Sequence, residues 1–224
     1  MALLHNAELR PSKSELIAAW APSQPWFVGD AAAAVQTVAS FRFDDPDGEV
    51  GIETHLVRFG TGPLLQVALT YRGAPLTGGE AWLVGTMSHS VLGDRWIYDA
   101  PGDPVYLATV AAAALTGGQQ AEQFIQGDGE LIPVTPTITV LGSGTPRTPP
   151  ASVSALASLS PRRIKTAHPA GATVATAGVV RVTVVRILDG SGAVLATTDA
   201  ATLSGTWAGQ PVPQVLVAVE VLPS

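Results

Sequence analysis

Three side chains open the chemical reading. Asp99 and Asp103 stand four apart in Tyr98-Asp-Ala-Pro-Gly-Asp-Pro104, and His89 lies in the polar run Gly85-Thr-Met-Ser-His-Ser-Val-Leu-Gly93. Two carboxylates flanking a sugar, one as acid and one as base, cleave glycosidic bonds. With His89 they form the candidate catalytic set. A structural reading competes at each position and is preferred: Asp103 caps the helix that follows, Asp99 closes the preceding turn, and His89 makes one local hydrogen bond. Glu53 and His55 alternate along a strand, on one face and about 7 Å apart. They would start a metal site, but two ligands do not make one, and a solvent-facing polar strand is the preferred reading. Trp26, Trp82, Trp96 and Tyr98, with Tyr106, offer flat rings on which the apolar C–H faces of a sugar stack. Trp26, Trp82, Arg95, Trp96 and Tyr98 are the candidate ligand-binding set, weighed against plain core packing.

Other chemistries lack their parts. No Gly-x-Gly-x-x-Gly loop, His-x-Asp-x-x-x-x-Asn loop or Asp-Phe-Gly occurs, and neither lysine, Lys13 or Lys165, follows a glycine as a P-loop lysine does. Phosphoryl transfer needs a positioned base, metal-binding acids and a cation on the phosphates. A Gly-x-Ser-x-Gly nucleophile elbow is also missing. With no cysteine there is neither a disulfide nor a thiolate metal site. No cofactor and no metal are expected.

The elements that position these residues are legible in part. Ser12 and Ser14 can cap a helix with Glu15 in its first turn and Leu16, Ile17 and Trp20 on one apolar face; Pro22 and Pro25 end it. Strands are predicted over residues 36–43 and 49–59, joined by an Asp-Gly-containing turn at 44–48, then over 64–71, 81–86 and 95–98. Asp103-Pro104 opens a helix that Gly117-Gly118 stops. A short helix over 119–126 follows. Beyond it the chain reads almost wholly as strands, at 135–141, 178–188, 193–197 and 215–222, with a hairpin loop at 189–192 and an irregular Gly/Pro-rich stretch at 142–150. The run 179–188 has almost no polar face apart from Arg181, Thr183 and Arg186, so it must be covered on both sides or lie in an interface.

Composition bounds the rest. Of 224 residues 46% are hydrophobic and only 13% charged, and the mean hydropathy is +0.30. Such a chain has ample apolar surface to offset chain entropy, so it folds. Its apolar runs are too short for the ~20 residues of a membrane helix. The formal charge of −6 argues against nucleic acid. The opening residues do not read as a signal peptide, and a cytoplasmic location is expected. Thirteen of the eighteen acidic residues and twelve of the thirteen aromatics precede residue 127. That asymmetry predicts two units, 1–126 and 127–224, divided at Gly127-Asp-Gly129.

One family resemblance spans the first unit. Trp26-Phe-Val-Gly29, the run Pro63-Leu-Leu-Gln-Val-Ala-Leu-Thr-Tyr-Arg-Gly-Ala-Pro-Leu76 and the run from Leu83 through Arg95-Trp-Ile-Tyr-Asp-Ala-Pro-Gly-Asp-Pro-Val-Tyr106 occur in order around the Asp-rich hairpin. As a set they resemble the N-terminal cap domain of actinobacterial maltokinases, most closely its stand-alone relatives, over about residues 12–125. The resemblance implies an α+β fold: a curved antiparallel sheet packed on helices, similar to a cystatin, here followed by a mostly β C-terminal unit. In the kinases this cap precedes the ATP-binding lobe and does not supply the catalytic base. Two features depart from the pattern. Asp30 stands where the kinases usually carry a basic residue, and a β-rich segment takes the place of the kinase lobes. The resemblance therefore implies the setting of α-glucan and trehalose metabolism, without maltose phosphorylation. The expected protein is a non-catalytic cap-like module that binds a protein partner, a second copy of itself or a small sugar. The alternatives are an α-glucan-acting enzyme using Asp99, Asp103 and His89, or a structural subunit of an assembly.

Overall fold

The computed structural model describes residues 2–4, 7–126, 130–188 and 200–223. In chain order these form β1 (Ala2–Leu4), β2 (Leu9–Arg10), α1 (Lys13–Trp20), β3 (Val35–Phe43), β4 (Gly51–Phe59), β5 (Leu65–Arg72), β6 (Leu83–His89), β7 (Gly93–Asp99), α2 (Pro104–Thr116), β8 (Gln123–Gln126) and β9 (Leu131–Pro133). Then come β10 (Ile138–Gly142), α3 (Ala151–Ser154), β11 (Lys165–Ala167), β12 (Ala172–Ala177), β13 (Val180–Val185), β14 (Ala201–Trp207) and β15 (Gln210–Val221). The fold is α+β with sheet dominant, and its C-terminal region is mostly β. No helix among the described residues is long and apolar enough to cross a membrane.

Two six-stranded antiparallel sheets carry the structure. The first runs β2-β6-β7-β5-β4-β3 and the second β10-β14-β15-β13-β12-β11. A small third sheet, β1-β8-β9, pairs β1 parallel to β8. In the first sheet β4 is buried from Ile52 to Val57 on both faces. Its odd positions, Val57 and Phe59, join Val67, Leu69, Leu16, Ile17 and Trp26 in one apolar cluster. Its even positions, Ile52 and Leu56, join a larger cluster with Tyr106, Leu107 and Val110 of α2 and Val182, Val184 and Leu216 of the second sheet. Period-two alternation thus feeds two cores from one strand.

Local chemistry sets the ends of these elements. The Ser12 hydroxyl accepts the Glu15 N–H while the Glu15 carboxylate accepts the Ser12 N–H, a complete capping box. In the β3–β4 turn the Asp45 carboxylate accepts the N–H groups of Asp47, Glu49 and Val50. A bulge beside Val38 shifts the register, and Val38 stands exposed. Gly117, at φ +71°, ends α2 in the left-handed conformation.

The second sheet reaches into the first. Beyond β13, Ile187 bridges Leu65, the Gln66 N–H donates to the Arg186 carbonyl at 2.8 Å, and the Leu188 N–H to the Leu64 carbonyl at 2.8 Å. Residues 186–188 therefore pair with β5 where β7 does not reach. This covers the apolar run 179–188 as its composition requires.

Several predictions change. Residues 119–126 hold a strand, β8, where a short helix is predicted. The Gln120 side chain bonds the Ile138 carbonyl and the Val140 N–H, standing in for a strand partner of β10, and β8 pairs β9 beyond it. Residues 178–188 are not one strand: Gly178, at φ +60°, turns β12 into β13. Residues 151–163, between the predicted strands, hold α3 and short 3-10 turns. The break predicted at 127–129, the loop at 189–192 and the strand at 193–197 lie outside the described residues.

Candidate functional site

The first sheet leaves part of its α1-side face open. Where α1 stops covering it, a groove of about 1300 Å³ runs over β3, β4, β5 and β7. The β3–β4 turn and residues 73–77 flank it, and residues 158–161 close one side. Tyr71 of β5 is among its lining residues. Gly51 pairs with Tyr71 across β4–β5, and a Cβ there would lie 3.3 Å from Tyr71 Cβ and 3.4 Å from an Arg42 guanidinium nitrogen. Two residues beyond Tyr71, a Cβ at Gly73 would lie 3.0 Å from Arg95 Nη1. The two glycines leave room for a guanidinium on each side of the tyrosine.

A buried polar cluster underlies this floor. Glu53 is hydrogen-bonded to Lys13 of α1, and His55 Nε2 lies 3.7 Å from Glu53 and 3.3 Å from the Tyr71 hydroxyl. The Lys13 ammonium sits 5.5 Å from the centre of the Tyr71 ring, a cation–π contact. Burial alone would raise the Glu53 carboxyl, but His55, Lys13 and Arg42 outweigh it and pull it down to about 2. Burial lowers His55 below its usual value despite Glu53 beside it. Burial, helped by the Glu53 charge, holds Tyr71 well above the usual phenol range. The groove presents a carboxylate, an ammonium, guanidiniums and an aromatic ring.

The predicted site residues scatter. His89 and Arg95 line the groove. His89 Nδ1 accepts the N–H groups of Val91 and Leu92, so its ring is turned toward its own hairpin. Asp99 is buried and bidentate to Arg186, with oxygens at 2.8 and 2.6 Å. Asp103 caps α2 through the Val105 N–H and also accepts from Thr70 and from Arg72, bidentate at 2.7 Å. Trp26 is core, its ring 4.6 Å beneath the Arg186 guanidinium and its Nε1 without a hydrogen-bond partner. Trp82 lies flat on Gly102, where a Cβ would approach within 2.0 Å. Trp96 is half-buried on β7 opposite Arg72. Tyr98 is buried, and its hydroxyl accepts the Leu76 N–H.

Glu53 and His55 are 7% and 4% exposed, so the solvent-facing strand predicted for them is overturned. The signal was present: Ile52 and Leu56 on one face and Val57 and Phe59 on the other mark a strand covered on both sides, where a Glu and a His must find partners. Their partners Lys13 and Arg42 come from other elements and carry no local mark. No group of three or more His, Asp or Glu able to hold a metal gathers among the described residues.

The α+β fold thus places hydrogen-bonding side chains and an aromatic ring along one open groove. Residues 20–103 match the maltokinase N-terminal cap domain, and this segment is a cap-like domain. The match contains Arg42, Glu53, Tyr71 and Arg95 of the groove, while Lys13 and residues 158–161 lie outside it. No curated protein matches the chain.

Proposed function

We propose that this chain is a non-catalytic cap-like module whose groove binds a small sugar, in the cytoplasmic setting of α-glucan and trehalose metabolism. The cap-domain match supports the setting, by analogy of family alone. The observation that carries the sugar reading is the groove floor itself. Lys13, Arg42 and Glu53 lie beside Tyr71 and Arg95 lines the same groove, and hydroxyl groups need both donors and acceptors beside an apolar ring. Isothermal titration with maltose, trehalose and maltooligosaccharides tests it. Saturable binding weakened about tenfold or more by Tyr71→Ala is the expected result. Absence of heat with all of them overturns the sugar reading, and ATP-dependent phosphorylation of any of them by the pure chain overturns the non-catalytic one. A second copy of the chain as partner is the other reading, favoured by the exposed cross-strand pair Ile125 and Ile132 on the small sheet. A mass by light scattering that rises with concentration, and stops rising in Ile132→Ser, supports it.

A further inference from the structure

Three cations, Lys13, Arg42 and Arg95, share the floor of the groove with one buried carboxylate, Glu53. Lys13 is already bound to that carboxylate. Arg72, which also reaches the groove, is held bidentate by Asp103. Arg42 and Arg95 are held less fully, although Arg42 stands opposite Glu53 across β3–β4 and feels its charge. Arg42 Nε is buried without a hydrogen-bond partner, and the hydrogen bond from Arg95 goes to the carbonyl of its neighbour Asp94. A guanidinium carries five donors and cannot shed its proton. Leaving such donors unmatched at a partly dry surface is unfavourable, and an oxyanion is their best complement. The acids of the β3–β4 turn line the same groove. Asp45 is occupied by three backbone N–H groups, and Asp44 and Glu49 stand exposed at the rim.

Resting on the sugar-binding reading above, we infer that the ligand of this groove carries an oxyanion, a phosphate or carboxylate group on a polyol, which Arg42 and Arg95 hold on either side of Tyr71. The two glycines make this a built arrangement. Without a Cβ at 51 and 73, the Arg42 and Arg95 guanidiniums lie close against the sheet backbone at those positions. The ring between them takes the carbon skeleton, and the charged end meets the donors.

Paired titrations test it with glucose against gluconate and glucose 1-phosphate, and with inorganic phosphate as the bare anion. The anionic sugars are expected to bind about tenfold or more tightly than glucose, since charge-assisted hydrogen bonds are the stronger kind. Arg42→Gln and Arg95→Gln should each remove most of that advantage. Gly73→Ala keeps every charge but places a methyl 3.0 Å from Arg95 Nη1. It should weaken the anionic sugars several-fold more than it weakens glucose. Equal affinity for charged and neutral sugars overturns the inference and leaves sugar binding standing. An anion advantage that survives Gly73→Ala and both glutamine variants also overturns it, because general electrostatic attraction would then suffice. No binding of any sugar overturns both readings, and preference for phosphate over gluconate or the reverse decides which oxyanion the groove serves.

Discussion

Glu53 shows how one buried carboxylate ties a groove to the stability of its domain. Its pKa in the fold is about 2, against 4.5 for the free group. Between those values the unfolded chain holds the extra proton, so stability is fully present above about pH 4.5 and is lost as the pH falls toward 2. The linked loss is on the order of 3 kcal/mol. His55 adds to the slope in the same direction from pH 6.5 downward, because burial depresses its pKa and the unfolded imidazole takes up its proton first. Melting temperatures by circular dichroism should therefore fall steeply for the native chain between pH 4.5 and 2.5. Glu53→Gln should be less stable at pH 7 and much flatter through that acid window. Equal slopes would show that the Lys13 contact does not hold the carboxylate ionised. For Glu53 and His55 the sign of burial lay in the apolar residues on both faces of β4, while the lysine that meets Glu53 comes from a distant helix and left no local mark. Asp103 was legible as a cap because its partner lies two residues away.

At the scale of elements, local punctuation was readable and close approach was not. The α1 capping box, the Asp-rich hairpin and the Pro104 start of α2 rest on neighbours within five residues. Ser12→Ala should cost about 1 kcal/mol in urea denaturation, the usual value of a lost cap. Strands β12 and β14 went unread because Ala-Thr-Val-Ala-Thr-Ala and Ala-Thr-Leu-Ser-Gly-Thr-Trp are built largely of small residues with little hydrophobic contrast. The 142–150 segment reads as a loop on its glycines and prolines, yet its glycines do more than bend. The C-terminal carbonyls of α2 land on it: the Gly144 N–H donates to the Ala114 carbonyl, and a Cβ at Gly144 would lie 2.0 Å from the Leu115 carbonyl oxygen. At Gly142 the corresponding approach is 2.2 Å, to the Ala113 carbonyl. Backbone cannot step aside as a side chain can, so Gly144→Ala should destabilise by roughly 2 kcal/mol or more through overpacking. Gly178, which has nothing within 4 Å of a Cβ, should show only the milder strain of its positive φ when changed to Ala. Equal losses at 144 and 178 would mean that the α2 contact is not a tight one.

For the whole molecule, the question is what makes two sheets behave as one body. Residues 186–188 continue the second sheet into the first, and Arg186 anchors the junction. Its fully buried guanidinium donates to Asp99 of β7 and to Thr173 of β12 and lies over Trp26. Burial pushes the Asp99 carboxyl above its usual range even against Arg186, a sign of how dry the junction is. In such a place the ion pair need not add net stability, but losing one member leaves the other uncompensated. Arg186→Met should therefore cost about 3–5 kcal/mol, while Arg186→Met combined with Asp99→Leu should recover a large part of it. Two probes tell whether the loss also uncouples the sheets. Four of the five tryptophans precede residue 127, so tryptophan fluorescence reports chiefly on the first sheet, whereas far-ultraviolet circular dichroism reports on both. The native chain should give coincident urea transitions by the two probes, the mark of one cooperative unit. Arg186→Met should separate them, with the weaker sheet unfolding first, and the double variant should bring them together again. Coincident curves in the single variant would mean that the shared apolar cluster of α2 and the two sheets couples them without the arginine.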